Sequence, residues 1–191
     1  MASLHVLANP ARFRRFSQRV LPALSVVTAL VLAVGLYLAL VESPPDYQQG
    51  ETVRIMFIHV PSAWLSMMGY GLLAALGASL LVWRHPLAAL MARAAAPVGA
   101  VFAAVCLATG SLWGKPMWGT YWVWDARLTS ELVLLLMYLG LIAVWNAVED
   151  PGRAARVVAI LTLVGTINLP IIKFSVDWWN TLHQPASILR M

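Results

Sequence analysis

Charge is scarce in this chain. Only 11% of its 191 residues are Asp, Glu, Lys or Arg, and 61% are hydrophobic, against about a quarter charged and half apolar in soluble domains. No polar stretch exceeds roughly 20 residues, too few to bury a core of its own, so a soluble domain is excluded. Cysteine is almost absent: Cys106 stands alone, which rules out an internal disulfide and reads as a small core residue. Zinc-type Cys/His spacing, a phosphate loop and a Ser-His-Asp signature are all missing. Hydrolytic or nucleotide-driven catalysis by this chain alone is therefore not expected, and the protein reads as something other than an enzyme.

What is present is apolar sequence in long runs. Stretches of about 20 apolar residues, the length that crosses a bilayer, fall at 21–41, 63–83, 94–112, 128–148 and 157–174. The expected fold is an all-α, polytopic bundle of five membrane helices forming one domain over 1–191, with the lipid bilayer as its surroundings. Basic residues outnumber acidic ones 13 to 8, a bias that in a soluble domain suggests nucleic acid. Here Arg12, Arg14, Arg15, Arg19, Arg84, Arg93, Arg153 and Arg156 all sit beside spans. They mark the cytoplasmic face under the positive-inside rule, and no nucleic-acid partner is implied. The first span is too long for a signal-peptide core and lacks an A-x-A-like cleavage site, so it reads as an uncleaved anchor. Gly69, Gly71 and Gly77 in span two and Gly99, Ala103 and Ala104 in span three let neighbouring backbones approach. Pro97 and Pro170 predict kinks.

The opposite face receives 42–61, a Trp-rich segment at 113–127 and the tail after 174. The segment holds four of the nine tryptophans, Trp113, Trp118, Trp122 and Trp124, together with Tyr121. Gly114, Pro116 and Gly119 argue against a continuous helix there. In an extended run Trp118, Trp122 and Trp124 share one face by period-two alternation, a shelf suited to a large planar ligand. The competing reading is a set of interfacial anchors, the ordinary role of Trp and Tyr at membrane edges.

Two of the four histidines join that face. His59 precedes the second span and His183 follows the fifth, each with a proline close behind that restricts the local backbone. His5 and His85 lie in the N-terminal tail and at the cytoplasmic edge and read as solvated. Imidazole is a good iron ligand, and one above and one below a porphyrin fill both axial positions; the alternative is a pair of interfacial side chains bonded to headgroups or carbonyls. Lys115, Arg127 and Arg54 are placed to pair with porphyrin propionates. Asp125 repels propionates and is expected to orient Arg127, an indole N–H or a loop amide. Glu131 and Lys173, ionisable groups at span depth, can line a site or snorkel to water.

The run Trp118-Gly-Thr-Tyr-Trp-Val-Trp-Asp-Ala-Arg127, followed by Leu-Thr-Ser, resembles the "WWD" signature of the haem-handling proteins of bacterial cytochrome c maturation. With His59 in His-Val-Pro-Ser-Ala-Trp and His183 in Leu-His-Gln-Pro, the chain is most similar to the smallest family of that group, haem exporter C (CcmC). The resemblance covers nearly the whole chain. It implies a multi-pass protein of the bacterial inner membrane that holds haem b on the periplasmic face and hands it to the haem chaperone CcmE. It further implies axial ligation by His59 and His183, a haem platform at Trp118–Arg127, and work alongside the ATP-binding-cassette pair CcmA and CcmB and the small protein CcmD. Members of that family usually have six spans, whereas this sequence stops after the second histidine loop, so the last helix is expected to be absent here. Two other functions fit the residues less fully: a bis-histidine cytochrome carrying electrons, and a permease subunit that binds no haem.

Overall fold

The computed structural model describes residues 8–183. Six α-helices follow one another, with no strand among the described residues: α1 Pro10–Tyr37, α2 Met56–Trp83, α3 Ala88–Trp118, α4 Ala126–Ala147, α5 Pro151–Gly165 and α6 Asn168–Trp178. Five of the resulting spans are long and apolar enough to cross a membrane, α5 and α6 together supplying the fifth. The protein is thus an all-α polytopic bundle, as its composition predicts. The helices outrun the apolar runs at most ends because polar and basic residues continue the same helices into the interface.

Small residues set the packing. Gly69 on α2 and Gly99 on α3 face each other closely enough that a Cβ on Gly69 would stand 3.5 Å from the Gly99 Cα. The Tyr138 ring of α4 fills the space against both. Tyr138 is fully buried, and its hydroxyl donates to the Ser66 carbonyl at 2.7 Å. Gly77 lets α5 approach, its Cβ position 3.3 Å from the Ala159 Cα, and Ala103 has no exposed surface. Gly71 and Ala104 do not serve packing as expected: nothing lies within 4 Å of the Gly71 Cβ position, and Ala104 is exposed. The core then closes around Tyr70, Leu73, Leu134, Leu141, Trp145 and Val158. Cys106 is buried and free, a core residue as expected.

Helix α1 is different, since none of its residues is buried. The fifth span is divided. Pro170 lacks the N–H that would bond the Thr166 carbonyl and its ring crowds that carbonyl, so the helix ends at Gly165 and resumes at Asn168. The second half is fastened to α4, because the Asn168 amide donates to the Ser130 carbonyl at 2.9 Å.

The Trp-rich segment departs from expectation. Helix α3 runs unbroken through Pro97, Gly114 and Pro116 to Trp118, and the turn comes only at Gly119, whose φ of 77° is the left-handed cap that glycine tolerates. Trp113 and Trp118 are therefore helical, and only residues beyond Gly119 form the non-helical link to α4. His59 likewise lies inside α2, upstream of Pro61 in the same helix.

Candidate functional site

The C-terminal end of α3 gives each of the two histidines an indole. His59 meets Trp113 edge-on, ring centroids 5.8 Å apart, and His183 meets Trp118 edge-on at 4.7 Å. Trp113 is held in turn by an Nε1–H bond to Gln49 at 2.9 Å. The Trp118 ring packs over Gly114, where a Cβ would stand 3.0 Å from it.

Each histidine has one ring nitrogen already committed. His59 Nδ1 lies 3.0 Å from the Cys106 carbonyl and 3.2 Å from Thr109 Oγ1. A carbonyl oxygen only accepts, so Nδ1 carries the proton and Nε2 keeps its lone pair. The ring is backed by Gly110, whose Cβ would stand 2.9 Å from His59 Cε1. His183 Nδ1 donates to Asp125 Oδ2 at 2.8 Å, and again Nε2 is the nitrogen left over. A histidine whose second nitrogen is bonded to a carboxylate or carbonyl is the arrangement in which proteins hold imidazole for a metal.

Asp125 accounts for most of the outer architecture. Its Oδ1 caps α4 by accepting from the Leu128 amide at 2.8 Å, and its Oδ2 also accepts from the Thr181 hydroxyl. Thr181 Oγ1 in turn accepts from the His183 amide at 3.1 Å. Burial opposes the charge on Asp125, but the bonds from Thr181, Leu128 and His183 outweigh it and hold the carboxyl below its ordinary range. Burial likewise lowers the His183 pKa against the opposing pull of Asp125, which keeps the imidazole neutral at neutral pH. None of the three expected partners of Asp125, namely Arg127, an indole N–H and a loop amide, is hydrogen-bonded to it among the described residues; the amide it accepts from is that of Leu128 in the first turn of α4. Its main partner, His183, was not anticipated, and neither were Thr181, Thr109 and the Cys106 carbonyl; in sequence these are ordinary polar or core residues with no distinguishing signal.

The remaining sequence candidates divide. Trp122 and Trp124 meet edge-on at 5.3 Å; Trp124 is 76% exposed, and the buried Trp122 Nε1 has no partner among the described residues. Tyr121 lies beneath the Lys115 ammonium at 5.3 Å, and Lys115 donates to the Gly119 carbonyl at 2.9 Å. Arg54 pairs with Glu51 and donates to the Ser43 carbonyl, both at 2.9 Å, yet its buried Nε has no partner among the described residues. Arg127 turns away from the loop: it bonds Ser175 Oγ at 3.3 Å and the carbonyls of Ile172 and Lys173, tying α4 to α6. Lys173 sits 5.0 Å over the Trp64 ring. His85 lies beyond α2 at the other end of the bundle, and His5 is outside the described residues.

Comparison with known proteins covers this whole arrangement. Residues 3–191 match the family described as Heme exporter protein C. A Heme exporter protein C from Bradyrhizobium diazoefficiens is 66% identical over 185 residues, which is 97% of this chain and 70% of the relative. One from Escherichia coli K12 is 51% identical over 185 residues, 97% of this chain and 76% of the relative. A putative cytochrome c biosynthesis ccmC-like mitochondrial protein of Marchantia polymorpha is 50% identical over 156 residues, 82% of this chain and 66% of the relative. With its histidines and tryptophans set in a match of this length, the chain belongs to the haem exporter protein C family.

Proposed function

We propose that this protein binds haem b between His59 and His183 on the periplasmic side of the bacterial inner membrane and passes it to the haem chaperone CcmE during cytochrome c maturation. The observation that carries the reading is the matched pair of imidazoles, each locked at Nδ1, each keeping Nε2, and each edged by an indole of the same helix. The names of the relatives support haem handling and cytochrome c biogenesis.

The residues fit the group. Two neutral imidazoles would hold its iron through their free Nε2 atoms, and Trp113, Trp118 and the Trp122–Trp124 pair would give apolar surface beside it. Aromatic contacts of this kind add about 0.5–1.5 kcal/mol each beyond burial. The propionates fall to Arg54, with its unpartnered Nε, and to Lys115, whose ammonium has two protons beyond the one given to Gly119. Arg127 holds α6 in place and so positions the chain leading to His183. When bound, haem would supply an iron for the two Nε2 lone pairs, and the residues of this chain would neutralise, orient and shelter it. Any energy for release comes from partners, the ATP-binding-cassette pair CcmA and CcmB with CcmD.

The decisive experiment is to purify the chain, record its optical spectrum and add the haem chaperone. A bis-histidine spectrum that decays as the chaperone gains haem is expected. Absence of haem uptake refutes the proposal, and a stable haem that never transfers supports an electron-carrying cytochrome instead.

A further inference from the structure

Glu131 has no part in the site described so far, although it lies close beneath it. It is the sixth residue of α4, roughly 8 Å down the helix from the outer end at 1.5 Å per residue. Only 4% of it is exposed. An ionised carboxylate that deep requires a cation, and none pairs with it among the described residues. The nearest, Arg127, gives its hydrogen bonds to Ser175 and the α6 carbonyls.

Hydrogen-bond counting points the same way. Ser66 Oγ lies 2.8 Å from the Ala63 carbonyl and 2.8 Å from Glu131 Oε1. The hydroxyl has one proton to give and a carbonyl has none. Each contact is a full two-centre hydrogen bond when Ser66 donates to Ala63 and a protonated Glu131 donates to Ser66, whereas an ionised Glu131 leaves the single hydroxyl proton to be shared between two acceptors. Across the bundle, the Cys106 side chain stands beside the Glu131 carboxyl, and its Sγ is 3.9 Å from His59 Nδ1. The titratable and charged groups facing Glu131 are thus Cys106 from α3, Arg127 and Tyr138 from α4 itself, and His59 from α2 beyond the thiol. Ser66 is the polar contact from α2.

We propose that Glu131 is a proton store for the site: it is a neutral carboxylic acid while His59 is unliganded, and it releases that proton to water when a cationic metal centre binds at His59 Nε2. The opposite charge now acting through a medium of low polarity favours the carboxylate. The balance is simple, one proton leaving Glu131 as one positive centre arrives, with no bond to carbon changed and no electron moved. The coupling rests on the haem reading above, whereas the stored proton does not.

Infrared difference spectra of the haem-free protein test the store directly. A carboxylic-acid carbonyl band is expected in the wild type, lost in Glu131→Gln and displaced in Ser66→Ala, which leaves the acid but removes its partner. Adding ferric haem should bleach that band and release one more proton from the wild type than from Glu131→Gln in weakly buffered solution. Metal-free protoporphyrin IX should do neither. No acid band in the wild type, or a band and proton yield indifferent to bound ferric haem, overturns the proposal. A band with no haem uptake at all overturns the haem reading and the coupling with it, and leaves only the stored proton.

Discussion

Replacing Asp125 by Asn separates the two jobs this side chain performs. Asn keeps an acceptor oxygen for the Leu128 amide and is as good a helix N-cap as Asp, so the start of α4 survives. What is lost is the charged acceptor at Oδ2, which takes the Nδ1–H of His183 at 2.8 Å and the Thr181 hydroxyl. A hydrogen bond to a charged group contributes about 1.5–3 kcal/mol, which at about 1.4 kcal/mol per tenfold is a factor of roughly 10 to 100 in affinity. Loss of an outer partner of a metal-bound histidine has the same typical effect, about 10- to 100-fold. Haem affinity should therefore fall by about that factor, measured by titrating the detergent-purified variant and following the absorption of bound haem, while circular dichroism shows unchanged helix content. Asp125→Ala should add about 1 kcal/mol of lost stability from the missing cap. If Asp125→Asn binds haem within about twofold of the wild type while His183→Ala does not, Asp125 is only a helix cap and the argument from Nδ1 fails.

Single substitutions His59→Ala and His183→Ala should each shift the haem spectrum away from the bis-histidine form, and His85→Ala should not. Acidification should weaken binding as well: the unfolded reference for imidazole is about 6.5, and burial holds His183 below its ordinary value. Affinity should hold as pH falls toward the lowered His183 value and drop below it, as measured by titration at each pH. Trp118→Ala, which strips the edge from His183, should reduce haem retention more than Trp124→Ala at the exposed position, measured as haem per protein in membranes; equal retention in all the Trp variants would make the indoles anchors. Gly110→Ala puts a methyl 2.9 Å from His59 Cε1, so it should displace the ring and cost about 1–3 kcal/mol in stability, read by thermal unfolding in detergent. Reporter fusions after Arg84 and after Trp124 should report opposite compartments, since one lies at each end of the bundle.

The spans were legible because a bilayer demands long apolar runs whatever the fold, and His59, His183 and Asp125 were legible because polar groups beside such runs are few. The course of the chain through 113–118 was not. Gly114 and Pro116 each disfavour helix, but Pro116 removes only its own bond to the Leu112 carbonyl, as Pro97 does in mid-helix, and only Gly119 turns the chain. The period-two argument thus began too early and set Trp118 beside Trp122 and Trp124 rather than beside His183. Arg127 misled for a related reason. Its guanidinium reaches Ser175 and the carbonyls of Ile172 and Lys173 in the middle of α6, partners some 45 positions away that nothing in the local sequence marks. Asp125 could be seen as a residue that must bind something, but its partner lies 58 positions away in sequence.

The two histidines are mounted on supports of unequal stiffness. His59 stands on α2 against the α3 backbone, and moving it means parting two helices that touch through glycine. His183 lies beyond α6, the last helix among the described residues, and meets the bundle through Thr181, one carboxylate oxygen of Asp125 and the edge of Trp118. A clamp with one fixed jaw and one hinged jaw opens in a set order. On the proposed reading, in which both histidines hold one group, the hinged side is the one to let go first.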